Sequence, residues 1–245
     1  MSDSENSDSS GSGIAPPVSN IVTSSLASPI PLTKEGQLFQ QLYNDRYELD
    51  HGKKLSRAER KREGYISSTL TYGEILFSTF SELFDILRAR ELLPEKGVFV
   101  DVGCGIGKPV FAAALLHDFQ RCVGIEILED CHRACVDTLR FWTQNIKPEL
   151  GDDRTSPENL QFSFLHNDAL MVDWSNADVV FMNSTAFTTA LMINLSVACR
   201  GLREGAIIIT TTKKIIGKQY ELIEEREMEE SWGEAHVYVF RRLGN

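Results

Sequence analysis

Several features that would assign the chain to a common class of protein are scarce or missing. Only five cysteines occur among the 245 residues, and none forms a CxxC pair, which argues against a disulfide framework and favours a reducing, intracellular setting. No apolar run reaches the roughly 18 residues that a transmembrane helix needs. The first residues, MSDSENSDSSGSG, lack the basic head and apolar stretch of a secretory signal. We therefore expect an intracellular protein with no membrane contact, and the absence of internal repeats excludes a solenoid.

Positive charge is also scarce, since 25 Lys and Arg stand against 35 Asp and Glu for a net charge of −10. This balance argues against a surface that binds nucleic acid over most of its area. The exception is HGKKLSRAERKRE (51–63), which holds six basic and two acidic side chains, net +4. From charge alone, a local phosphate contact and a solvated helix face both stay open.

The first third of the chain changes character twice. Residues 1–33 are rich in Ser, Pro, Asp and Asn and carry little apolar surface, so we expect a disordered tail. Residues 34–94 are predicted to form a helical extension. It contains a helical stretch at 36–63, first amphipathic and then basic, and an amphipathic helix at 75–93 that Pro94 ends.

The remainder, residues 95–245, alternates between strand and helix patterns and is predicted to be the main domain. Five strand patterns occur there: VFVDV (98–102), CVGIEI (122–127), QFSFLHND (161–168), ADVVFMN (177–183) and AIIITTT (206–212). Helical patterns separate most of them, which predicts an α/β fold with a doubly wound, mostly parallel sheet. The last segments, YELIEEREMEESW and AHVYVFRR, predict an antiparallel hairpin that brings the sheet to seven strands.

A glycine-rich turn follows the first strand and indicates where a ligand binds, because open α/β sheets bind ligands beyond the carboxyl ends of their strands. Its glycines stand at alternate positions: Gly103, Gly105 and Gly107. A Walker phosphate loop is excluded, because Val102 and Pro109 occupy positions that need glycine and a hydroxyl residue. A dinucleotide fingerprint fits poorly as well, because the third glycine comes one residue too early.

The pattern Asp-x-Gly-x-Gly-x-Gly instead resembles that of class I S-adenosylmethionine-dependent methyltransferases. This cofactor carries an ammonium and a sulfonium, which the acid at Asp101 would compensate, and glycines let the backbone approach a ligand closely. Glu126 ends the second strand, where this fold uses an acid to bind the ribose hydroxyls. Asp168 ends the third strand, near the expected adenine. Three acids at successive strand ends beside such a turn support one another.

Two further stretches narrow the family. TYGE (71–74) and VVFMNSTAF (179–187), together with FVDVGCGIGKPVFAAAL and CVGIEI, resemble the Dot-type (disruptor of telomeric silencing) histone lysine methyltransferases. The resemblance covers roughly residues 65–242. It implies a Rossmann-like class I methyltransferase fold, S-adenosylmethionine as cofactor, and transfer of a methyl group to a lysine in the globular core of nucleosomal histone H3.

The resemblance also implies the site residues. The cofactor would be held by Thr71, Tyr72, Gly73 and Glu74 in an overlying loop, by Asp101, Gly103, Gly105 and Lys108 at the methionine end, by Glu126 at the ribose, by Asp168 and Ala169 at the adenine, and by Asn183 beside the transferring methyl. Asn183, Tyr72, Phe187 and Tyr238 would form the catalytic centre and lysine channel. We name no general base, because a desolvated lysine has a lowered pKa.

Departures from the family pattern keep other functions open. Ser184 and Thr185 stand where well-known members have a second Asn and an aromatic residue, and Lys108 replaces a common Gln. The alternatives are a lysine methyltransferase of a non-histone protein and a catalytically inactive cofactor-binding module. A methyltransferase of RNA or a small molecule is less favoured, because Asn-Ser-Thr-Ala is not the Pro-Pro-Tyr-type tetrapeptide of many such enzymes.

Partners follow from the same reasoning. The resemblance makes the basic segment a candidate contact to nucleosomal DNA, through Lys53, Lys54, Arg57, Arg60, Lys61 and Arg62. The acidic stretch 224–230 is either a contact to a basic histone surface or a solvated strand face. No metal is expected, because Cys131, His132 and Cys135 lack a fourth ligand at metal spacing. We expect a monomer located in the nucleus, with the cytoplasm as the alternative.

Overall fold

The computed structural model describes residues 33–48, 50–65, 73–151, 160–230 and 233–244. The predicted disorder of the tail, apart from Thr33, lies outside the described residues. So do the site residues Thr71 and Tyr72 and the tryptophan of the hairpin turn.

A seven-stranded sheet in the order β3-β2-β1-β4-β5-β7-β6 forms the centre of the protein. Its strands are β1 (Val98–Val102), β2 (Arg121–Glu126), β3 (Gln161–His166), β4 (Val179–Met182), β5 (Ile207–Thr211), β6 (Tyr220–Glu230) and β7 (Gly233–Arg242). The first five strands are parallel, and β7 runs antiparallel to both β5 and β6. The predicted mostly parallel sheet with a terminal antiparallel hairpin is therefore confirmed.

Helices cover both faces of this sheet, as the near-continuous apolar runs of its central strands require. They are α1 (Lys34–Leu42), α2 (His51–Glu63), α3 (Phe77–Ala89), α4 (Lys108–Leu116), α5 (Glu129–Phe141) and α6 (Thr189–Ala198). One face carries a core rich in phenylalanine, including Phe80, Phe99 and Phe181, whose rings meet edge to face. The opposite face is covered by α6 and by Trp174.

The helical extension differs in detail from its prediction. The stretch 36–63, predicted as helical throughout, is two helices with a turn between them. Tertiary contacts of two tyrosines explain the turn, since the Tyr43 hydroxyl donates to the Ile106 carbonyl at 3.0 Å and the Tyr47 hydroxyl lies 3.1 Å from that of Thr138. Such contacts override local helix pattern. The helix predicted to reach residue 93 ends at Ala89.

These helices share the core of the sheet domain, with Leu38 and Phe84 packed in the same cluster as Phe111. The domain division between residues 94 and 95 stays a prediction. None of the helices in the described ranges is long and apolar enough to cross a membrane.

The parallel register brings the ends of four strands to one edge of the sheet. Asp101 of β1 lies beside Gly124 of β2 and Phe181 of β4. The residues that follow β2, β3 and β4 therefore meet the glycine turn at this carboxyl edge, where ligands bind in such sheets.

Candidate active site and family

A cavity of about 460 Å³ lies at the carboxyl edge of the sheet, a volume within the range of small-molecule sites. Its walls come from the glycine turn, the ends of β2, β3 and β4, the loop before α3, and helices α2 and α6. Most of the described site residues from the sequence line it: Gly73, Glu74, Asp101, Gly103, Gly105, Lys108, Glu126, Asp168, Ala169, Asn183 and Phe187.

Two of the three glycines of the turn line the cavity. Gly103 and Gly105 line the cavity with φ angles of 76° and 56°, and a Cβ at Gly103 would lie 3.3 Å from the Phe187 ring. Gly107 has a different task, because a Cβ there would meet Cys135 and Phe164 at 3.2 Å inside the core. Only the first two glycines therefore keep space for a ligand, and the third permits close packing of α4 on its neighbours.

Two buried carboxyls, those of Asp101 and Glu126, border the cavity beside this turn. Asp101 is 1% exposed, and within the described chain its Oδ2 has no hydrogen-bond partner. Burial, reinforced by the charge of Glu126, raises the pKa of Asp101 well above its ordinary value. Glu126 accepts hydrogen bonds from the N–H groups of Gly105 at 2.7 Å and Leu128 at 2.9 Å. Burial outweighs these bonds and raises its pKa to about 7.

Such carboxyls fit a cationic ligand that carries vicinal hydroxyls. A positive group would stabilise the partnerless oxygen of Asp101, because a buried carboxylate needs compensation. Glu126 keeps acceptor capacity after its backbone bonds, since a carboxylate has about four acceptor positions and three backbone N–H groups, those of Gly105, Ile127 and Leu128, act on it. The residues present therefore fit S-adenosylmethionine, with its sulfonium and ammonium near Asp101 and its ribose near Glu126.

The far end of the cavity is formed after β3. Asp168 accepts from the Leu170 N–H at 2.9 Å, which fixes the carboxyl while leaving its other oxygen available. Asn167 also lines this end, and its side chain accepts from the Asp168 N–H at 2.8 Å. Sequence reasoning missed Asn167, although an amide next to a predicted adenine-binding acid was a usable signal.

The loop before α3 is tied to the site by two side chains. Glu74 forms an ion pair with Lys108, which follows the glycine turn. The Asn183 side chain donates to the Gly73 carbonyl at 3.0 Å and accepts from the Thr211 hydroxyl at 2.8 Å. Asn183 thus connects the loop to β5. The sequence predicted Asn183 beside the reacting methyl but did not predict this connection.

Of the two described residues predicted to form the lysine channel, only Phe187 lines the cavity. Phe187 packs at the cavity beside Gly103. Tyr238 lies instead among the second core cluster, with its ring 6.0 Å from that of His236 and 4.7 Å from the Lys214 ammonium. Tyr238 is not among the residues that line the cavity, although Phe187 belongs to the same core cluster. Its role in a channel stays a prediction without support from this geometry.

Helix α2 contributes more to the site than its basic composition indicated. Its inner face carries Ser56 and Glu59, buried to 0% and 3% exposure. Glu59 accepts from the N–H groups of Glu129 at 2.7 Å and Asp130 at 2.7 Å, at the first turn of α5. Ser56 and Lys53 line the cavity. Sequence reasoning missed both Ser56 and Glu59.

The six basic residues predicted to contact DNA are therefore not equivalent. Lys53 lies at the cavity, Lys54 forms ion pairs with Glu48 and Asp50, and Arg62 forms one with Asp130 at 2.8 Å. Arg60 donates to a carbonyl of its own helix at 3.3 Å. Arg57 and Lys61 are exposed on the outer face. The DNA contact stays a prediction, best carried by these last two.

Among the residues that the structure describes, no group of three His, Cys, Asp or Glu side chains is placed to hold a metal ion. The five cysteines are free and buried. Cys131 and Cys135 pack in the core, where the Cys135 thiol donates to the Gly105 carbonyl at 3.1 Å.

The fold is that of class I methyltransferases. Magnesium protoporphyrin IX methyltransferase from Synechocystis shares it with a TM-score of 0.50 at 12% identity, covering 84% of this chain and 90% of that one. A Pyrococcus horikoshii protein described as a candidate RNA methyltransferase shares it with a TM-score of 0.53 at 14% identity, over 81% and 99% of the two chains. At these identities the likeness concerns the fold alone.

The family is narrower. The family model described as histone methylation protein DOT1 matches residues 55–243, so the chain belongs to the DOT1 family. It is 29% identical to an H3 lysine-79 specific histone-lysine N-methyltransferase of Caenorhabditis elegans, over 58% of this chain and 14% of that protein. It is 32% identical to one of Candida albicans, over 64% and 11%. The chain thus spans less than a sixth of the length of these two relatives, and the predicted family is confirmed.

Proposed function

We propose that this protein is an S-adenosylmethionine-dependent protein-lysine N-methyltransferase that acts on a lysine of nucleosomal histone H3. The observation that carries the proposal is the cavity itself, where buried Asp101 and Glu126 border a bare glycine turn. Membership of the DOT1 family and the names of the curated relatives support the choice of substrate.

The chain's residues would act mainly by positioning. When bound, S-adenosylmethionine supplies an electrophilic methyl group. Asp101 compensates its positive charge, and Glu126 fixes the ribose through charge-assisted hydrogen bonds. Asn183 and Phe187 border the cavity after β4, where they hold the acceptor amine in line and exclude water.

Two alternatives differ from this proposal, one in the substrate that is recognised and the other in whether a methyl group is transferred. A non-histone protein substrate keeps the chemistry and changes only the surface that is recognised. A cofactor-binding module without turnover keeps the cavity and loses the transfer. Nuclear location follows from the histone substrate, and a monomeric state stays a prediction.

The direct test is methyl transfer from labelled S-adenosylmethionine, with intact nucleosomes, free histones and a histone-free cell extract offered side by side. Label on histone H3 in nucleosomes is the expected result. Label in the extract alone would move the substrate to a non-histone protein. Stoichiometric cofactor binding without label in any sample would favour the inactive module.

Replacing Asn183 by alanine tests the acceptor side of the cavity. We expect turnover to fall by about 100-fold, in line with the loss of one preorganised polar group at a reacting centre, while cofactor affinity changes far less. Steady-state kinetics on nucleosomes and calorimetry with S-adenosylhomocysteine measure the two quantities. Asn194→Ala on the exposed face of α6 is the matched control. Equal losses of turnover and affinity would remove Asn183 from the reaction.

Charge reversal on the outer face of α2 tests the DNA contact. The double variant Arg57→Glu, Lys61→Glu is expected to bind nucleosomes more weakly, with the slope of log affinity against log salt reduced by about two. Cofactor affinity is expected to stay unchanged. The control reverses Arg133 and Arg140, which are exposed on α5 and pair with local acids. An unchanged slope would make the basic segment a solvated helix face.

A further inference from the structure

A chain of threonine hydroxyls leads from the cavity to the surface. Thr185 lines the cavity, and its Oγ1 lies 2.9 Å from the Oγ1 of Thr212. The Thr185 Oγ1 also lies 3.2 Å from the Oγ1 of Thr211, which is fully buried. Thr212 is exposed to solvent. Thr185 is thus the one member of this trio that borders the cavity and also contacts a solvent-exposed hydroxyl.

The direction of these hydrogen bonds follows from Asn183. The Asn183 amide oxygen can only accept, so the Thr211 hydroxyl donates its single hydrogen to that oxygen at 2.8 Å. The Thr185 hydroxyl then has a single hydrogen and two possible acceptors, Thr211 and Thr212. When that hydrogen points to Thr212, a lone pair of Thr185 Oγ1 is free to accept a proton donor in the cavity.

Thr212 is held in an unusual conformation at the outer end of this chain. Its φ angle of 63° lies in the left-handed region, an outlier for a β-branched residue. Its N–H donates to the His236 carbonyl at 2.6 Å, which ties it to β7. Strained residues of this kind persist where the surrounding structure fixes them, often at functional sites.

A cation lies against the same segment. The Lys213 ammonium donates to the Thr185 carbonyl at 3.2 Å and to the Phe187 carbonyl. In the part of the chain that the structure describes, these contacts are to neutral carbonyls, so they do not neutralise its charge. A positive charge near a second ammonium lowers the pKa of that ammonium.

Lysine methylation needs such help, because a protonated amine has no lone pair to attack with. A free lysine side chain has a pKa of about 10.4, so only about one molecule in 2,500 is neutral at pH 7. The proton must therefore leave the bound substrate before the methyl group is transferred.

We propose that Thr185 and Thr212 form the exit route for the proton of the substrate lysine, and that Lys213 promotes its departure. This inference rests on the proposed function and adds a proton path to it. The ammonium N–H bond breaks as its proton binds Thr185 Oγ1, the Thr185 hydrogen passes to Thr212 Oγ1, and the Thr212 hydrogen passes to water. Both hydroxyls end neutral, and the substrate is left with a free amine lone pair.

Other charged groups face the cavity, and their titration must be separated from this route. They are Lys53 on α2, Glu74 and Lys108 in their ion pair, and Asp101, Glu126 and Asp168 at the strand ends. Near the outer end stand His236 on β7 and the Lys214–Glu225 pair. All of them remain unchanged in threonine variants, so a difference between variants and wild type reports the route.

The test compares pH profiles of kcat/KM for methylation of nucleosomes. Thr185→Val and Thr212→Val each remove one hydroxyl with little change of shape, and each is expected to lower kcat/KM at pH 7 about 100-fold, the lower end of the range for proton-transfer groups. The loss should shrink as pH rises toward 9, where solvent hydroxide competes. Thr185→Ser keeps the hydroxyl and is expected to retain the wild-type profile. Thr143→Val, exposed after α5, is the matched control.

Lys213→Met completes the experiment by moving the acid limb of the profile up by about one pH unit. Binding of S-adenosylhomocysteine and the melting temperature of every variant show whether it is folded. A folded Thr185→Val or Thr212→Val variant with an unchanged profile would overturn the route, as would equal losses in Thr185→Ser and Thr185→Val. Absence of transfer by the wild-type protein to any substrate would overturn the proposed function itself, and the route with it.

Discussion

Replacing Glu126 by glutamine is expected to weaken binding of S-adenosylmethionine by roughly 30- to 150-fold, the equivalent of about 2–3 kcal/mol for hydrogen bonds to a charged group. Both carboxyl oxygens already accept a backbone N–H, from Gly105 and Leu128. A glutamine amide would direct its NH₂ group at one of these donors and could accept only on the other side. Calorimetry with S-adenosylhomocysteine measures the loss.

The same carboxyl makes binding depend on pH. The pKa of Glu126 is raised to about 7 by burial, and a cationic cofactor that hydrogen bonds to the ionised form favours loss of that proton. Affinity of the wild-type protein is therefore expected to increase as pH rises from 6 to 8, with release of a proton on binding. Calorimetry in two buffers of different ionisation enthalpy counts that proton.

Stability of the cofactor-free protein changes in the opposite direction. The pKa values of Asp101 and Glu126 are both raised on folding, so the folded protein holds protons that the unfolded chain loses above about pH 4. The stability that neutral Glu126 contributes is present below that pH and is lost as pH rises through about 7. Glu126→Gln should flatten both dependences, whereas Glu95→Gln, exposed at the opposite edge of the sheet, should change neither. A pH-independent affinity in the wild type would contradict this account.

The carboxyl edge of the sheet was predictable because its signals are local. Asp101, Glu126 and Asp168 each follow an apolar run that forms a strand, and parallel strands place such residues at one edge. The glycine turn likewise follows β1 directly. The site acids and the glycine turn are therefore next to the strand patterns in the sequence. Sequence patterns are informative over such short separations.

The parts that sequence reasoning missed depend on contacts between distant segments. Ser56 and Glu59 lie in a stretch that the sequence marked only as basic, and the partners of Glu59 lie on α5, some 70 residues further on. Gly107 belongs to the turn but serves the core, because Cys135 and Phe164 come to it from α5 and β3. No local pattern separates such a packing glycine from a ligand-facing one.

Ser184 and Thr185 depart from the family pattern, and the structure shows hydrogen-bond partners for both. The Ser184 hydroxyl donates to the Thr211 carbonyl in a fully buried position. Thr185 faces hydroxyls of Thr211 and Thr212, which come from the end of β5. The two polar residues after Asn183 therefore hydrogen bond to polar residues at the end of β5. These contacts arise because β4 and β5 are neighbours in the sheet, which the sequence alone does not show.

Removing the Glu59 carboxyl is expected to produce the largest loss of stability. Glu59→Ala eliminates the two hydrogen bonds that the buried Glu59 carboxyl accepts from the N–H groups of Glu129 and Asp130, worth about 1.5–3 kcal/mol each. An anion at the N-terminus of α5 also favours the helix. The free energy of unfolding is therefore expected to fall by about 3 kcal/mol in denaturant titration. Glu59→Gln, which keeps one acceptor oxygen, should lose less.

The comparison with Glu63→Ala separates this role from helix propensity, because Glu63 is exposed at the end of the same helix and pairs with the neighbouring Arg62. That control is expected to change the free energy of unfolding by less than about 1 kcal/mol. Since Ser56 and Lys53 on α2 line the cavity, Glu59→Ala should also weaken cofactor binding at temperatures where the protein remains folded. Full affinity in a destabilised variant would show that α2 supports the fold without shaping the site, whereas loss of both would make this helix part of the cofactor site.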